Sequence, residues 1–205
     1  MQFETDQEKF WAGNFGTEYI ARNNSQKLLG ANLHFFSKAL RTAAPIKSCL
    51  EFGANIGLNL KSLSLLYPGI ELSAVEINAD AVSQLSKLIK LEDIFRGSIL
   101  DFTPSRQFDL TVVKGVLIHI NPEKLSVVYD SIVRASNRYV LVAEYYNPFP
   151  VSIPYRGHTD RLFKRDFAGE IMDRHPELRL IDYGFCYRRD PAFPQDDINW
   201  FLMEK

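Results

Sequence analysis

The chain has 205 residues, 46% of them hydrophobic and 24% charged, with a formal net charge of −1. That length suits one domain with a proper core and is short for two. The charge argues against a protein that lives on nucleic acid or an anionic membrane, and no apolar run approaches the ~18 residues of a membrane span.

Residues 1–45 are expected to form a helical cap segment ahead of a domain over 46–205. The acidic, polar start Met1-Gln2-Phe3-Glu4-Thr5-Asp6 is no signal peptide. Phe10, Trp11, Phe15, Tyr19 and Ile20 then form an aromatic-rich segment broken by Gly13 and Gly16. It reads equally as a helical add-on at the sheet edge or as a lid whose rings exclude water. Asn24 or Ser25 can cap a helix with Leu28, Leu29, Leu33, Phe36 and Leu40 at spacings of three and four, closed by Pro45.

From residue 48 strand and helix patterns alternate. Ser48 to Leu60 runs from an apolar stretch into Glu51 and Gly53, then through a polar turn with Asn55 and Gly57 into a helix. Gly53 spares the close approach of a ligand a side chain, and the helix start offers free N–H groups. A second run ends in Glu76, placed to accept bonds from ribose hydroxyls. The dinucleotide fingerprint fails, because its second and third glycine positions hold Asn55 and Leu58. Asn55 tolerates left-handed backbone better than most residues.

Asn78 caps a helix carrying Val82, Leu85, Leu88 and Ile89, and a weak strand follows at Ile94-Phe95. Phe108–Gly115 is a buried strand, Asn121-Pro122 starts a helix with Leu125, Val128, Tyr129, Ile132 and Val133, and Arg138–Glu144 is the fifth strand. Residues 147–160 read as a long loop, followed by a helix with Phe163, Phe167 and Ile171 and two strands near 178–188 and 197–204. This order implies an α/β, Rossmann-like single domain: a mainly parallel seven-stranded sheet with a C-terminal antiparallel hairpin. Cys49 and Cys186 lack metal-ligand spacing and read as small buried hydrophobes in a reducing compartment. No metal is expected, and cytoplasm is the default location.

Glycines spaced as Gly53 and Gly57, with an acid two residues before the first, resemble the first motif of class I S-adenosylmethionine-dependent methyltransferases. Five segments narrow the likeness: Gln7–Gly13, Glu51–Leu60, Lys114–Pro122, Ala143–Pro148 and Ile153–Phe167. Together they resemble the methyltransferases associated with pseudaminic acid biosynthesis, over nearly the whole chain. The resemblance implies S-adenosylmethionine as cofactor more firmly than it implies an acceptor. It implies that Glu51, Gly53, Asn55 and Gly57 line the methionine and ribose part. Glu76 and Ile77 would then serve the ribose, Ser98 and Ile99 the adenine, and Lys114 and Gly115 the sulfonium.

Methyl transfer is an in-line displacement that depends mostly on positioning. His119 is the first candidate for a base, with packing beside the cofactor as the plain alternative, and Glu144 is the second. Tyr145, Tyr146 and Tyr155 offer hydroxyls. Arg156, His158 and Arg161 offer cationic donors, in a stretch where four Lys/Arg face one acid between 156 and 165. Arginine forks bind carboxylate or phosphate, so a small anionic acceptor of sugar, nucleotide-sugar or amino-acid type is expected. The bland reading is a solvated loop, since over 151–190 basic residues outnumber acids only eight to seven. Trp11 and Tyr19 would shape the acceptor pocket as part of the lid. Arg188 and Arg189 read as a solvated strand-end pair.

Nucleic-acid base methylation fits poorly, because Asn147-Pro148-Phe149 follows the fifth strand and not the fourth. Two alternatives stay open: a cyclase or lyase that consumes the sulfonium on the same fold, and a non-catalytic cofactor-binding protein. A monomer or homodimer without nucleic-acid or membrane partners is expected.

Overall fold

The computed structural model describes residues 3–22 and 25–205. At its centre is β1 (Ser48–Phe52), flanked in parallel by β2 (Glu71–Glu76) and by β4 (Phe108–Lys114). β3 (Ile94–Arg96) pairs outside β2 and β5 (Ser136–Glu144) outside β4, both parallel. The last strand, β9 (Asn199–Glu204), slots antiparallel between β5 and β8 (Arg179–Phe185). The seven strands run β3-β2-β1-β4-β5-β9-β8.

Alternation along the strands splits the core into two layers. Cys49, Val112, Leu141 and Trp200 face the layer of α3 (Gln26–Ala39), α4 (Leu58–Leu66) and α5 (Ala79–Leu85). Leu50, Phe52, Val113 and Val140 face α6 (Leu125–Ala135) and α7 (Phe167–Arg174). Both faces being covered, the inner strands read as continuous apolar runs. Among the described residues no helix is long and apolar enough to cross a membrane.

Several local expectations shift. Ser25 caps α3, its Oγ accepting from the Leu28 N–H at 3.2 Å, while Asn24 lies outside the described residues. The buried stripe of α3 is Ala31, Asn32, Phe35, Phe36 and Ala39, with Leu28, Leu29 and Leu33 only partly covered. α5 stops at Leu85, so Leu88 and Ile89 sit in the turn beyond it. Asn121 caps a 3-10 turn, Pro122–Lys124, before α6 begins. Phe163 is in a strand and not a helix: β6 (Val151–Ser152) pairs with β7 (Phe163–Lys164). The stretch between them closes on the two-residue turn Arg156-Gly157, at φ +50° and +84°. Tyr155 and His158 exchange backbone bonds of 2.7 and 2.9 Å across that turn, as positive φ at both central positions permits in a tight hairpin. The expected long loop is therefore a folded-back finger.

The aromatic segment forms α1 (Asp6–Ala12) and α2 (Asn14–Arg22). Thr5 and Glu8 make a reciprocal capping box at the start of α1. Gly13 ends α1, but Gly16 does not break anything. It lies inside α2, where a Cβ would stand 1.9 Å from the Trp11 carbonyl oxygen. Gly16 therefore lets the two short helices pack.

Gly57 heads α4 in the left-handed region, and a Cβ there would meet Leu85 Cδ1 at 2.5 Å. Gly69 has similar φ, +85°, but open space. Gly57→Ala should lower unfolding stability by about 2–4 kcal/mol and Gly69→Ala by about 1 kcal/mol in urea titrations. Equal losses would mean that contact with α5 is not what requires glycine at position 57.

Candidate active site

A cavity of about 830 Å³ opens over the carboxyl ends of β1, β2 and β4, where ligands bind in open α/β sheets. Its volume suits a nucleoside-sized molecule with a small partner. The floor is the turn after β1. The N–H groups of Gly53 and Ala54 donate to the Val75 carbonyl at 2.8 and 3.2 Å, and Asn55 takes φ +49°. The Asn55 N–H donates to Glu76 Oε2 at 2.6 Å, and the Asn78 N–H to Glu76 Oε1 at 2.8 Å. Burial raises the pKa of Glu76 in spite of these bonds, which pull it down.

Asn78 extends this junction. Its Oδ1 caps α5 through Asp80 and Ala81, and its Nδ2 reaches the Trp11 carbonyl at 3.2 Å and Thr17 Oγ1 at 3.3 Å. The turn that holds the floor thus also tethers α1 and α2 above it. Sequence reading saw Asn78 only as a helix cap.

Glycine roles differ from expectation. Gly53 lines the cavity at φ +72°, and a Cβ on it would also strike Val116 Cγ2 at 2.5 Å, so the backbone and the turn after β4 both require glycine there. Gly57 is not among the lining residues and faces α5.

Glu51 lies just behind the floor, on the α4 side. The Asn59 Nδ2 donates to its Oε1 at 2.6 Å, while Oε2 is buried and unpartnered. Asn59 and Asn55 line the cavity, and Asn55 Oδ1 is likewise buried without a partner. Lys114, at the end of β4, also lines it. Its Nζ reaches Asn32 Oδ1 at 3.5 Å and, among the described residues, makes no ion pair. Burial lowers the pKa of Lys114, and the Glu51 carboxylate pulls it back up. Ile77, Ser98, Ile99 and Gly115 complete the expected cofactor wall.

On the acceptor side, Glu144 takes no part in the lining. Its Oε1 accepts the Val116 and Leu117 N–H groups, both at 2.9 Å, and so holds the 3-10 turn Leu117–His119. Burial lifts its pKa to about 7. That engagement makes Glu144 a support of the turn carrying His119, in place of the facing base expected. His119 does line the cavity. Its Nδ1–H donates to the Arg161 carbonyl at 2.6 Å, which leaves the lone pair on Nε2. Burial pushes its pKa down to about 4.

Trp11, Tyr19, Tyr145, Tyr155 and Arg156 also line the cavity. Tyr145 bonds to Asp196, and burial raises its hydroxyl pKa. Tyr146 is 41% exposed and lies outside. His158 and Arg161 pack against the Phe10 ring, at 5.2 and 5.7 Å, and do not line the cavity. Arg161 is paired with Asp160 at 2.5 Å. Sequence reading missed Asn32, Gln195 and Asp196, whose segments carry no motif; Arg188, expected to be solvated, is exposed at the cavity rim and paired with Asp197 at 3.3 Å. Among the described residues no cluster of His, Cys, Asp or Glu is placed to hold a metal.

No protein-family model and no curated protein matches the sequence. Solved structures do. A SAM-dependent methyltransferase from Leishmania major superposes at TM-score 0.68 and 14% identity, over 97% of this chain and 86% of that one. The mitomycin 7-O-methyltransferase MmcR gives 0.66 at 12%, over 98% of this chain, which spans only 61% of MmcR. DesVI from Streptomyces venezuelae gives 0.63 at 14%, over 98% and 99%. The chain therefore has the Rossmann-like fold that these structures share.

Glu51 supplies a test of the buried floor. Desolvation raises its pKa from 4.5 to about 8, offset only in part by Asn59 and Lys114. Between those values the folded protein keeps a proton that the unfolded chain has released, so this group's stabilisation is complete below about pH 4.5 and lost as pH rises through about 8. Urea unfolding at about pH 5 and pH 8 should show wild type losing about 1–3 kcal/mol more than Glu51→Gln. An equal decline in both proteins would mean that Glu51 is ionised in the fold at both pH values.

Proposed function

We propose that the protein is an S-adenosylmethionine-dependent methyltransferase acting on a small anionic acceptor, of the sugar or nucleotide-sugar type implied by its resemblance to the pseudaminic acid-associated family. The observation that carries this reading is the set of orphaned polar groups at the cavity floor. Glu51 Oε2 and Asn55 Oδ1 are buried without partners, and Lys114 closes no ion pair among the described residues. Buried polar groups are normally satisfied. An amino-acid tail brings the complement, an ammonium for the two oxygens and a carboxylate for Lys114.

The other floor residues fit the nucleoside end. Glu76 spends one lone pair of each oxygen on a backbone N–H and retains acceptor capacity for ribose hydroxyls. Ser98 and Ile99 would flank the base. When bound, the sulfonium supplies an electrophilic methyl group. The chain's own contribution is orientation and exclusion of water. The lid of α1, α2 and the finger at 151–164 closes over the cavity through the Gln7 Nε2 bond to the Asp160 carbonyl, 2.9 Å. Arg156 stands in the lining as a donor for the acceptor's anionic group.

Calorimetry should find S-adenosylhomocysteine binding to the wild type, and Glu76→Ala should weaken it more than tenfold, about 1.4 kcal/mol or more. No heat at millimolar ligand would overturn the proposal. Incubation with labelled S-adenosylmethionine alone should leave it intact, and release of methylthioadenosine would instead identify a cyclase or lyase.

A further inference from the structure

The proposed function leaves one part of the cavity unassigned, the rings gathered beneath the lid. Trp11 meets Tyr19 edge-on at 5.3 Å and His119 at 4.6 Å, and His119 meets Tyr155 at 5.3 Å. All four side chains line the cavity. They arrive from three separate parts of the chain: the two lid helices, the turn after β4 and the tip of the finger. The Trp11 Nε1–H is buried and has no partner. Aromatic rings that line a cavity offer binding sites for cations, and a cation already lies near one of them, Arg156 at 5.9 Å from the Tyr155 centroid.

The one imidazole in this wall is no strong base. Its Nδ1–H is committed to the Arg161 carbonyl, and among the described residues no hydrogen bond or ion pair joins the ring to a carboxylate. Burial holds its pKa near 4. An alkyl hydroxyl, with a pKa close to that of bulk water at about 15.7, gains little from such a group. An amine needs less, because its free-base form already carries a reactive lone pair, and His119 Nε2 can orient it by accepting one N–H.

We propose that the cage of Trp11, Tyr19, His119 and Tyr155 receives the acceptor through an amino group, captured as its ammonium, so that nitrogen is the methylated atom. This rests on the methyltransferase reading of the same cavity. The captured ammonium first releases a proton to water. The nitrogen lone pair then forms the new N–C bond while the C–S bond breaks, its electron pair passing to sulfur. One positive charge moves from sulfur to nitrogen, and the product stands as the N-methylammonium, the one proton of the overall reaction having gone to water in the first step. The captured ammonium and the N-methylammonium product each present a cation to the rings, and the free amine that reacts between them is held by the His119 Nε2 acceptor.

The test uses a charged probe and its neutral carbon isostere, choline and 3,3-dimethylbutan-1-ol, titrated by calorimetry into protein saturated with S-adenosylhomocysteine. Choline should bind at least about tenfold more tightly. Trp11→Ala and Tyr155→Leu should each erase that preference, and Trp11→Phe should keep most of it, with circular dichroism confirming that each variant is folded. Equal affinity for the two probes, or binding of neither while S-adenosylhomocysteine still binds, overturns the amine inference alone. Failure of S-adenosylhomocysteine itself to bind overturns the methyltransferase reading and this inference with it.

Discussion

The arrangement depends on one buried carboxylate. Glu76 ends β2 at the sheet's edge of polarity, where apolar packing gives way to the cavity, and each of its oxygens is claimed by a backbone N–H from a different direction. A buried carboxyl group left without such partners would be costly. The bond to Asn55 fixes the turn after β1 in a left-handed conformation. The bond to Asn78 fixes the start of α5 and, through the Asn78 side chain, the position of α1 and α2. A single residue therefore couples the floor of the cavity to its roof.

The two sides of the cavity are built on different physics. The floor is polar and under-satisfied: Glu51, Asn55 and Lys114 are desolvated, and burial shifts Glu51 and Lys114 toward their neutral forms. Groups in that condition gain most from a zwitterionic ligand, which returns the partners that folding removed. The roof is aromatic. Its rings come from short helices and a hairpin finger that would bury little alone, and they hold one another edge to face, the geometry aromatic pairs prefer.

Glu144 and His119 illustrate how a site residue can act at one remove. Glu144 faces the backbone of the turn after β4 and not the cavity, yet its two hydrogen bonds decide where His119 stands. Gly53 works the same way in reverse, its positive φ and the Val116 side chain of that turn both excluding a Cβ. The ends of β1 and β4 are neighbours in the sheet, so each loop constrains the other.

The sequence by itself determined the fold class, because buried parallel strands and amphipathic helices write periodicities that need no knowledge of their partners. It also marked the turn at Gly53–Gly57 and the acid at Glu76, since backbone conformation and strand ends are local properties. Only the tertiary structure decided which polar groups face the cavity. Glu144, Tyr146, His158 and Arg161 carry the same chemistry as His119, Tyr145, Tyr155 and Arg156, and no spacing rule separates the two sets. What separates them is which side of a strand end or finger a side chain leaves from once distant segments have packed. The same holds for Asn32, Gln195 and Asp196, which reach the cavity through contacts spanning most of the chain. Long-range packing has no local signature, so that part of the site becomes visible only when the chain is folded.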